Sequence, residues 1–495
     1  MSRNPAQLPI KNPGLLFIGN QWVSPSSDAM IEIVSPATEE VFMRVAEAQE
    51  ADINRAVAAA RDAFDNGPWP RMSPVERAKY LRLIEIEMAK RADDIALVWP
   101  NEMGVTHAFA QAGARGLPSF YGFYADMAET FDWETAHRPL EGGSIGLLVR
   151  EPVGVVAAII PWNGPIFTIT HKVAPALLAG CTIVLKASPE APGAAYIMAE
   201  VFEAVGLPKG VVNVVAADRA VSETLVRHPG IDMVSFTGSS AAGKRIASIL
   251  GERIGRYALE LGGKSAAVIL DDYDLESAAQ SIAGTTCALS GQICSALTRV
   301  IVSRDRHDAM VEALAANFSM VNVGDPFDPA VGMGPVAMRR QRDRIESLIQ
   351  KGREEGATLA TGGGRPKHLN RGYFIEPTVF GNVDNNMTIA REEIFGPVVS
   401  VIPANDEEHA IRLANDTVYG LNNSVFTNDP DRAYAVGRRL HSGTVGHNVW
   451  RTDFSIAFGG FKESGVGREG GVEGVYPYTE AKTLIFENGP SHISA

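Results

Sequence analysis

The sequence predicts an α/β fold that contains a parallel sheet. From Val153 onward, short runs rich in valine and isoleucine alternate with helical segments, and this alternation is typical of βαβ units. The chain of 495 residues corresponds to about two to four domains, each large enough to bury its own core. The composition, 45% hydrophobic and 21% charged, is that of an ordinary globular chain and indicates neither disorder nor fibrous repetition.

Two helices are predicted before the sheet begins. Residues 52–64 and 74–91 have the periodicity of amphipathic helices. Ser73 is the expected N-cap of the second helix, with Pro74 at its first position and Glu76 at its third. This is the pattern of a capping box with proline at N1, so we expect the helix to start at Pro74.

The strands of the predicted parallel sheet follow in order. They are residues 155–160, 182–186, 211–215, 233–236 and 257–261. A helix over residues 191–205 is expected to open with Ser188 as its N-cap and Pro189 at N1. The pair Gly262-Gly263 separates the fifth strand from a further strand at 266–270 and a helix from about Leu275, so it is a predicted domain joint. A second α/β region extends from there to about residue 460.

Charge and cysteine content exclude several classes of protein. The chain carries 45 Lys and Arg against 58 Asp and Glu, a net charge of −13, without a basic stripe, so nucleic acid is not an expected partner. The three cysteines, Cys181, Cys287 and Cys294, lack Cys-x-x-Cys spacing. We therefore expect no disulfide and no metal site, and a cytoplasmic location.

No membrane segment is expected. The longest apolar stretch, residues 173–185, is interrupted by Pro175 and Gly180 and is shorter than the ~18 residues that a span requires. The first five residues lead into no apolar region, so a signal peptide is not expected either.

Three segments contain residue types that could carry out chemistry. Cys294 lies among small residues, where it is either a buried, inert thiol or a nucleophile. Glu260 ends an apolar strand, so burial would raise its pKa and make it a general base; the alternative is an ion pair with Lys264 or Arg256. Asn163 follows the first strand and is either an oxyanion donor or a helix cap.

A fourth segment is the turn at residues 236–243, between a strand and a helix. Backbone N–H groups and Ser239 could bind a phosphate there, at the start of the helix. The alternative is a tight turn in which Ser239 is only the N-cap. The turn does not contain a G-x-G-x-x-G fingerprint.

In their order along the chain, Asn163, the turn at 236–243, Glu260 and Cys294, these four segments resemble those of the NAD(P)-dependent aldehyde dehydrogenases. The resemblance extends from Trp22 to about Ile485 and includes Glu-Glu-Ile-Phe-Gly-Pro at 392–397 and Phe-Gly-Gly-Phe-Lys at 458–462. It implies a Rossmann-like NAD(P)-binding domain over residues 1–130 and 151–261 and an α/β catalytic domain over 262–465. It also implies a small β oligomerisation arm, over 131–150 and 466–495, and a homotetramer or homodimer.

The resemblance implies a thioester mechanism for oxidation of an aldehyde to the carboxylic acid. Cys294 attacks the aldehyde carbon, and the oxyanion is bound by the Asn163 amide and the Cys294 backbone N–H. After hydride transfer to the nicotinamide, Glu260 activates the water that hydrolyses the thioester. Lys172 matches a position that aids proton transfer, with a solvated lysine as the alternative.

The resemblance also implies a set of cofactor contacts. Lys186 binds the adenosine ribose, Gly238 and Ser239 lie at the pyrophosphate, and Glu393 and Phe395 lie at the nicotinamide ribose, with Trp162 and Leu261 lining the same cleft. Where relatives read Pro-Ser-Glu, with a glutamate that disfavours a 2′-phosphate, this chain reads Ala187-Ser188-Pro189. Glu190 is the nearest substitute, so NAD is the expected cofactor and NADP stays open.

The expected substrate pocket is apolar and wide. Many relatives have a larger residue where this chain has Gly164, and its expected lining is Gly164, Thr168, His171, Ile293, Ser295, Trp450 and Phe458. We therefore expect a bulky aromatic or terpenoid aldehyde. Arg451 is the nearest candidate for binding a carboxylated substrate instead.

Three other functions compete with this interpretation. A CoA-acylating dehydrogenase would not need Glu260, and a catalytically silent structural or binding protein would have lost its nucleophile or base. A cysteine hydrolase without a cofactor would need a histidine beside Cys294 and has no use for the turn at 237–243.

Overall fold

The structure is a computed structural model that describes residues 8–490. Its strands are β1 (Leu16–Ile18), β2 (Gln21–Val23), β3 (Met30–Val34), β4 (Val41–Ala46), β5 (Glu134–His137), β6 (Ile145–Pro152), β7 (Val155–Ile159), β8 (Thr182–Ala187), β9 (Val212–Ala216), β10 (Met233–Thr237), β11 (Arg256–Glu260), β12 (Ser265–Ile269), β13 (Leu297–Ser303), β14 (Thr358–Thr361), β15 (Thr378–Gly381), β16 (Val398–Ala404), β17 (Asn422–Phe426), β18 (Thr444–His447), β19 (Gly465–Val466) and β20 (Thr479–Phe486).

The α-helices of the same residues lie mostly between these strands. They are α1 (Glu50–Asp65), α2 (Pro74–Lys90), α3 (Ala92–Met103), α4 (His107–Gly116), α5 (Pro118–Met127), α6 (Pro165–Ala179), α7 (Gly193–Ala204), α8 (Arg219–Arg227), α9 (Ser240–Gly251), α10 (Leu275–Cys287), α11 (His307–Ser319), α12 (Arg339–Glu354), α13 (Thr388–Arg391), α14 (Glu407–Asn415) and α15 (Pro430–Gly437). None of them is long and apolar enough to cross a membrane.

The first large sheet has the strand order β19-β11-β10-β7-β8-β9-β1-β2. Its strands β7 to β11 are parallel to their neighbours within that group. Counted from β7 as the first, their order across the sheet is third, second, first, fourth, fifth, which is the order of a Rossmann fold. The five strands predicted for this sheet are confirmed, each within one residue of its predicted ends.

Burial explains why these segments form a parallel sheet. Every residue of β7 and β8 is buried. Alternate residues face different cores, since Val156 and Ala158 belong to one hydrophobic cluster and Val155 and Ala157 to another. Strands that are covered by helices on both faces read as continuous apolar runs, as these do.

The start of α2 is the predicted capping box. The Ser73 hydroxyl accepts a hydrogen bond from the Glu76 backbone N–H at 3.3 Å, and the Glu76 carboxylate accepts one from the Ser73 N–H at 2.7 Å. The helix begins at Pro74, as predicted.

The predicted start of α7 is wrong. The helix begins at Gly193, and Ser188 is not its N-cap. Because the residue before a proline disfavours the helical conformation, Ala191-Pro192 prevents an earlier start. The Ser188 hydroxyl donates to the Glu190 carboxylate instead.

The chain crosses to a second sheet at the predicted joint. β11 ends at Glu260 in the first sheet, and β12 begins at Ser265 in a seven-stranded sheet of order β14-β15-β16-β13-β12-β17-β18. Glycine is required in between, since a Cβ on Gly263 would lie 2.2 Å from the carbonyl oxygen of Cys294. The joint therefore permits close approach of the Cys294 loop to the end of β11.

A three-stranded antiparallel sheet of order β20-β6-β5 projects from these two sheets. Strand β20 pairs with β6 from Thr479↔Pro152 to Phe486↔Ile145. Residues 465–466 instead pair with the edge of the first sheet, where Leu259 faces Val466. The C-terminal part of the arm was expected to span residues 466–495. In the structure its strand, β20, starts only at Thr479, and residues 491–495 lie outside the described part of the chain.

Candidate active site

The candidate site lies where the strand order of the first sheet reverses. The chain leaves β7 toward one side of the sheet and β10 toward the other, and ligands of open α/β sheets bind in the crevice at such a point. Asn163 follows β7, the turn 237–239 follows β10, and Glu260 ends β11. Because β7, β10 and β11 are parallel, their carboxyl ends lie at the same end of the sheet, and the residues predicted from the sequence lie there together.

Cys294 is held in a loop with an unusual backbone. After α10 ends, Leu289 and Ser290 adopt left-handed conformations, with φ of 48° and 55°, which non-glycine residues adopt only when their surroundings impose it. The surroundings include the Gln292 side chain, whose Nε2 donates to the Leu289 carbonyl and whose Oε1 accepts from the Ala337 N–H, each at 2.9 Å. The loop is therefore fixed before any ligand binds.

Asn163 faces the Cys294 loop. Its side-chain Nδ2 donates to the backbone carbonyl of Gln292 at 2.9 Å, and its backbone carbonyl accepts from Trp99 Nε1 at 3.1 Å. The N-cap position of α6 is occupied by Gly164, so helix capping is not the role of Asn163. An amide carries two N–H donors, and the second is available to an oxyanion near Cys294.

Glu260 is a buried carboxyl without the ion pairs considered from the sequence. It is 4% exposed, and its Oε2 has no hydrogen-bond partner among the described residues. Arg256 pairs with Glu480 at 2.7 Å instead, and the buried Lys264 Nζ has no partner in the described part of the chain. Burial, followed by the nearby Glu469, raises the pKa of Glu260 well above its usual range. This is the environment of a general base.

The same surroundings raise the pKa of Cys294. Burial is the largest cause, and the carboxylates of Glu393 and Glu260 add to it by disfavouring a thiolate. Cys181 and Cys287 are fully buried thiols whose pKa values burial raises to about 12. Cys294 differs from them in its position beside two carboxyl groups, which can accept its proton.

Lys172 is not solvated. Its Nζ contacts Glu469 Oε1 at 2.5 Å and Ser235 Oγ at 3.3 Å, and the side chain is fully buried. The alternative of a solvated lysine is therefore wrong. No role was predicted for Glu469 from the sequence. Lys172 and Glu469 both act electrostatically on Glu260, so the structure brings the three charged groups into one buried region.

The residues expected at the nicotinamide end converge. Glu393 Oε1 accepts from the Gly263 N–H at 3.0 Å. The Phe395 ring meets Trp162 edge-on, with centroids 5.4 Å apart. Leu261 packs against α9 so closely that a Cβ on Gly243 would lie 2.5 Å from its side chain.

The residues expected at the other end of the cofactor lie at the ends of β8 and β10, which are separated in the sheet by β7. Lys186 is 6% exposed, and burial lowers the pKa of its ammonium group to about 8. Ser239 is the N-cap of α9, accepting from the Ala242 N–H at 3.3 Å, so the capping interpretation holds. The Gly238 N–H is occupied, because it donates to the Glu260 carbonyl at 3.0 Å. The Ser239 O–H remains a donor for an anion, and the buried Thr237 Oγ1 beside it has no partner among the described residues.

The expected substrate pocket contains an aromatic wall. Gly164, Thr168 and His171 are spaced by four and three residues, so they share one face of α6. His171 stacks on Phe454 with centroids 3.8 Å apart, and Phe454 contacts Phe458 at 4.6 Å. Sequence reasoning missed Phe454, because it lies in a loop without periodicity.

Another expected pocket residue contacts the loop that carries Cys294. Trp450 Nε1 donates to the Ser295 carbonyl at 3.0 Å and to its hydroxyl at 3.2 Å. Because Ser295 follows Cys294 directly, Trp450 and Cys294 lie in the same region of the molecule. Burial lowers the pKa of His171 to about 3, with the neighbouring Lys172 as a second cause, and the ring is therefore neutral.

Within residues 8–490, no cluster of three or more His, Cys, Asp or Glu side chains is arranged to hold a metal ion.

Comparison with known proteins identifies relatives over nearly the whole chain. Residues 22–484 match the aldehyde dehydrogenase family. Geranial dehydrogenase of Castellaniella defragrans is 41% identical over 470 residues, which cover 95% of this chain and 98% of the relative. A putative aldehyde dehydrogenase of Staphylococcus aureus is 41% identical over 472 residues, 94% of this chain and 98% of the relative.

Solved structures of aldehyde dehydrogenases are also similar to this chain. The aldehyde dehydrogenase of Mycobacterium tuberculosis complexed with NAD+ has a TM-score of 0.94 at 43% identity, covering 98% of this chain and 100% of that one. A cysteine-to-alanine variant of aldehyde dehydrogenase C from Pseudomonas syringae, complexed with NAD+ and octanal, has a TM-score of 0.92 at 37% identity, covering 98% and 99%. The resemblance seen in the sequence is therefore confirmed, and the chain belongs to the aldehyde dehydrogenase family.

Proposed function

We propose that this protein oxidises apolar aldehydes to carboxylic acids with NAD+ or NADP+, by way of a thioester on Cys294. The observation that carries the proposal is the meeting of Cys294, Asn163 and Glu260 at the reversal point of the first sheet. A nucleophile, an oxyanion donor and a base are the three groups that acyl chemistry requires.

The residues at the sheet edge fit a dinucleotide. Lys186 presents a buried ammonium group whose nearest acceptor, the Ala217 carbonyl, is 3.5 Å away. The Thr237 hydroxyl is buried without a partner among the described residues, next to the start of α9. These donors would hold ribose and phosphate oxygens, while Glu393, Phe395 and Trp162 would surround the nicotinamide end. When bound, the nicotinamide accepts a hydride from the substrate carbon.

The acylation half of the reaction depends on proton removal from a buried thiol. Because burial and two carboxylates raise the pKa of Cys294, the thiol needs a base, and Glu260 is a candidate beside it. The thiolate then attacks the aldehyde carbon. The oxygen that becomes negative is stabilised by the second N–H of the Asn163 amide and by the Cys294 backbone N–H.

The deacylation half uses the same groups in turn. Once the proton from Cys294 has passed to solvent, Glu260 takes a proton from water, the hydroxide attacks the thioester carbon, and the Cys294 thiolate leaves with the carboxylic acid as product. The proton on Glu260 then returns to the Cys294 thiolate, which restores the starting state of both groups. Release by a thiol such as CoA is less well supported, because it would leave Glu260 without a water to activate in the second half of the reaction.

The pocket favours bulky apolar aldehydes. A Cβ on Gly164 would come no closer than 3.8 Å to another group, the Phe167 ring, so a side chain could begin there without a clash. The wall of His171, Phe454 and Phe458 is uncharged and suits conjugated or branched carbon chains. Two relatives are consistent with this class, one named for geranial and the other crystallised with octanal.

The three sheets correspond to three proposed roles: NAD(P) binding in the first, the catalytic loop in the second, and oligomerisation in the arm. Two apolar side chains near the arm, Leu140 at 101% and Ile485 at 59% exposure, favour a homodimer or homotetramer. The three free cysteines, one of them the nucleophile, favour a reducing cytoplasm.

The test is a panel of aliphatic, aromatic and terpenoid aldehydes with NAD+ and with NADP+, followed by the absorbance of the reduced nicotinamide. We expect turnover with the larger aldehydes and none in Cys294→Ala, which should still bind nucleotide. Cys287→Ala is the matched control, a buried thiol seven residues earlier in the chain, and should keep its activity. Normal turnover in Cys294→Ala would refute the proposal.

A further inference from the structure

A buried lysine beside the candidate active site has no role in the mechanism proposed above. Lys264 follows the joint Gly262-Gly263, its side chain is fully buried, and its Nζ has no hydrogen-bond partner among the described residues. An ammonium group in such a place loses its hydration without gaining an acceptor, which costs free energy. Its backbone is also held, because Arg299 Nε donates to the Lys264 carbonyl at 2.9 Å. The neighbouring charges indicate what this ammonium group acts on.

The carboxylate of Glu393 lies against the same joint. Its Oε1 accepts from the Gly263 N–H at 3.0 Å, and a Cβ on Gly262 would lie 2.5 Å from its Oε2. Both oxygens are therefore fixed beside the backbone that leads into Lys264, and the charge of each group acts on the other. Glu393 is only partly buried, unlike Lys264, so its carboxylate lies at the boundary between the interior and the proposed nicotinamide cleft.

Other titratable and charged groups face this pair from the surrounding elements. They are the cations Arg299 of β13 and Arg344 of α12, the carboxylate of Glu392, and the thiol of Cys294 and the phenol of Tyr419, whose pKa values burial raises. Of the two cations that favour the ionised form of Glu393, Lys264 acts more strongly than Arg344. The reason is screening, because the Arg344 side chain is 48% exposed to solvent and that of Lys264 is buried.

Burial disfavours the charge on both members of the pair. It lowers the pKa of Lys264 to about 7 and raises the pKa of Glu393 to about 7. The Gly263 N–H and the charge of Lys264 oppose this change at Glu393. Removal of an opposite charge raises the pKa of a carboxyl group by about one unit or more. Without Lys264, Glu393 would therefore take up a proton at a higher pH.

The ionised form of Glu393 is the one that suits a ribose. A carboxylate only accepts hydrogen bonds, and the two hydroxyl groups of a ribose can both donate to it. We propose, resting on the proposed function, that Lys264 is a positioning residue that keeps Glu393 ionised for the nicotinamide ribose and so sets the pH below which nucleotide binding weakens. Lys264 touches neither the nucleotide nor the reacting atoms, since it acts through Glu393.

The test is the Kd for NAD+ between about pH 5.5 and about pH 9, measured by isothermal titration calorimetry without any aldehyde. In the wild type the affinity should fall as the pH decreases through about 7, where Glu393 is protonated. In Lys264→Met the midpoint of this fall should move up by about one pH unit, so that binding near pH 6 is weaker by about tenfold. The two proteins should converge near pH 9, where Lys264 is itself neutral.

Two further variants show whether the effect passes through Glu393. Glu393→Gln should lose the fall in affinity at acidic pH, and adding Lys264→Met to it should change nothing more. Lys482→Met is the matched control, an exposed lysine of the arm that pairs with Glu151, and should keep the wild-type pH profile. Thermal melting of each variant establishes that it is folded.

The inference and the proposed function fail in different ways. A loss of affinity in Lys264→Met that is equal at every pH, or an unchanged midpoint, would overturn the role of Lys264 and leave nucleotide binding standing. An additional effect of Lys264→Met in the Glu393→Gln background would also overturn it. A wild type that binds neither NAD+ nor NADP+ would overturn the proposed function itself.

Discussion

At the scale of the residue, the site concentrates one buried and two partly buried groups whose pKa values are shifted. Glu260, Cys294 and Glu393 are near one another, and burial is the largest cause of the raised pKa of each, to about 7 for Glu393. Groups shifted in this way are common at catalytic sites, because a base works best when its pKa is near the working pH. A substitution that changes only a few atoms of one of these side chains should therefore slow one particular step of the reaction.

Glu260→Gln should slow deacylation more than acylation. The amide keeps the shape of the carboxyl group but cannot take a proton from water. We expect a burst of NADH, stoichiometric with the enzyme, followed by very slow turnover. Stopped-flow absorbance and intact mass would detect the burst and the acyl-enzyme. An unchanged steady-state rate without an adduct would mean that Glu260 is only structural.

Asn163→Ala should reduce kcat by about 10²–10³, the range for loss of one oxyanion donor. The substitution also removes the hydrogen bond to the Gln292 carbonyl, at 2.9 Å, so the loop needs a separate check. Asn163→Asp keeps the size but replaces donors with acceptors, and it should be at least as slow. If Asn163→Asp retained full activity, the amide could not be the oxyanion donor.

At the scale of the element, α6 contributes both to the expected pocket and to a buried ion pair. Gly164, Thr168 and His171 lie along one side of the helix, and Lys172, the residue after His171, forms the ion pair with Glu469. A change at Gly164, eight positions before Lys172, should alter which aldehydes are accepted and leave that ion pair intact.

Gly164→Phe should invert the preference for substrate size. The φ of Gly164 is −139°, a value that any residue adopts, and a Cβ there would contact the Phe167 ring at 3.8 Å without a clash. Large aldehydes would lose access by steric overlap, while small ones would change little. The measurement is the ratio of kcat/KM for a terpenoid aldehyde to that for propanal. If wild type and variant gave the same ratio, position 164 would not face the substrate.

Elements with strong local signals could be predicted from the sequence, while contacts between distant segments could not. The five parallel strands and the start of α2 follow from apolar runs and a capping box. The start of α7 was missed because Ser188-Pro189 has the form of a cap, and only the later Pro192 decides against it. Phe454 gave no local signal, since the ring on which it stacks, His171, lies on another element. The site residues Cys294, Glu260 and Asn163 were found through the resemblance, because neither spacing nor composition could distinguish them from inert ones.

At the scale of the whole molecule, His171 should couple stability to pH. Its pKa is about 3 in the folded protein against 6.5 for an ordinary histidine. Between these pH values the unfolded chain binds a proton that the folded chain does not, so the free energy of unfolding falls as the pH decreases from about 6.5 toward about 3. His171→Phe should lose this dependence. Between pH 7 and pH 5, the thermal midpoint of the wild type should decrease more than that of the variant. An equal decrease in both proteins would contradict the lowered pKa of His171.

The arm should govern assembly. Replacing both Leu140 and Ile485 by aspartate should reduce the mass of the particle in light scattering, because charge would enter an interface that is apolar in the proposed oligomer. Met320→Asp is the control, a comparably exposed apolar residue at 74% in another part of the surface, and should leave the mass unchanged. A double variant of wild-type mass would show that the arm does not join subunits.

The late position of several pairing partners has a consequence for synthesis on the ribosome. Strand β11 receives its outer neighbour, β19, only from residues 465–466, and Lys172 receives Glu469 from a point 297 positions further along the chain. Since domains tend to fold from the N-terminus as the chain emerges, the first sheet would form with one edge bare and one cation buried without its counter-charge. A nascent chain is therefore expected to hold a nearly complete nucleotide fold that stays inactive until the residues after 465 have emerged and closed it.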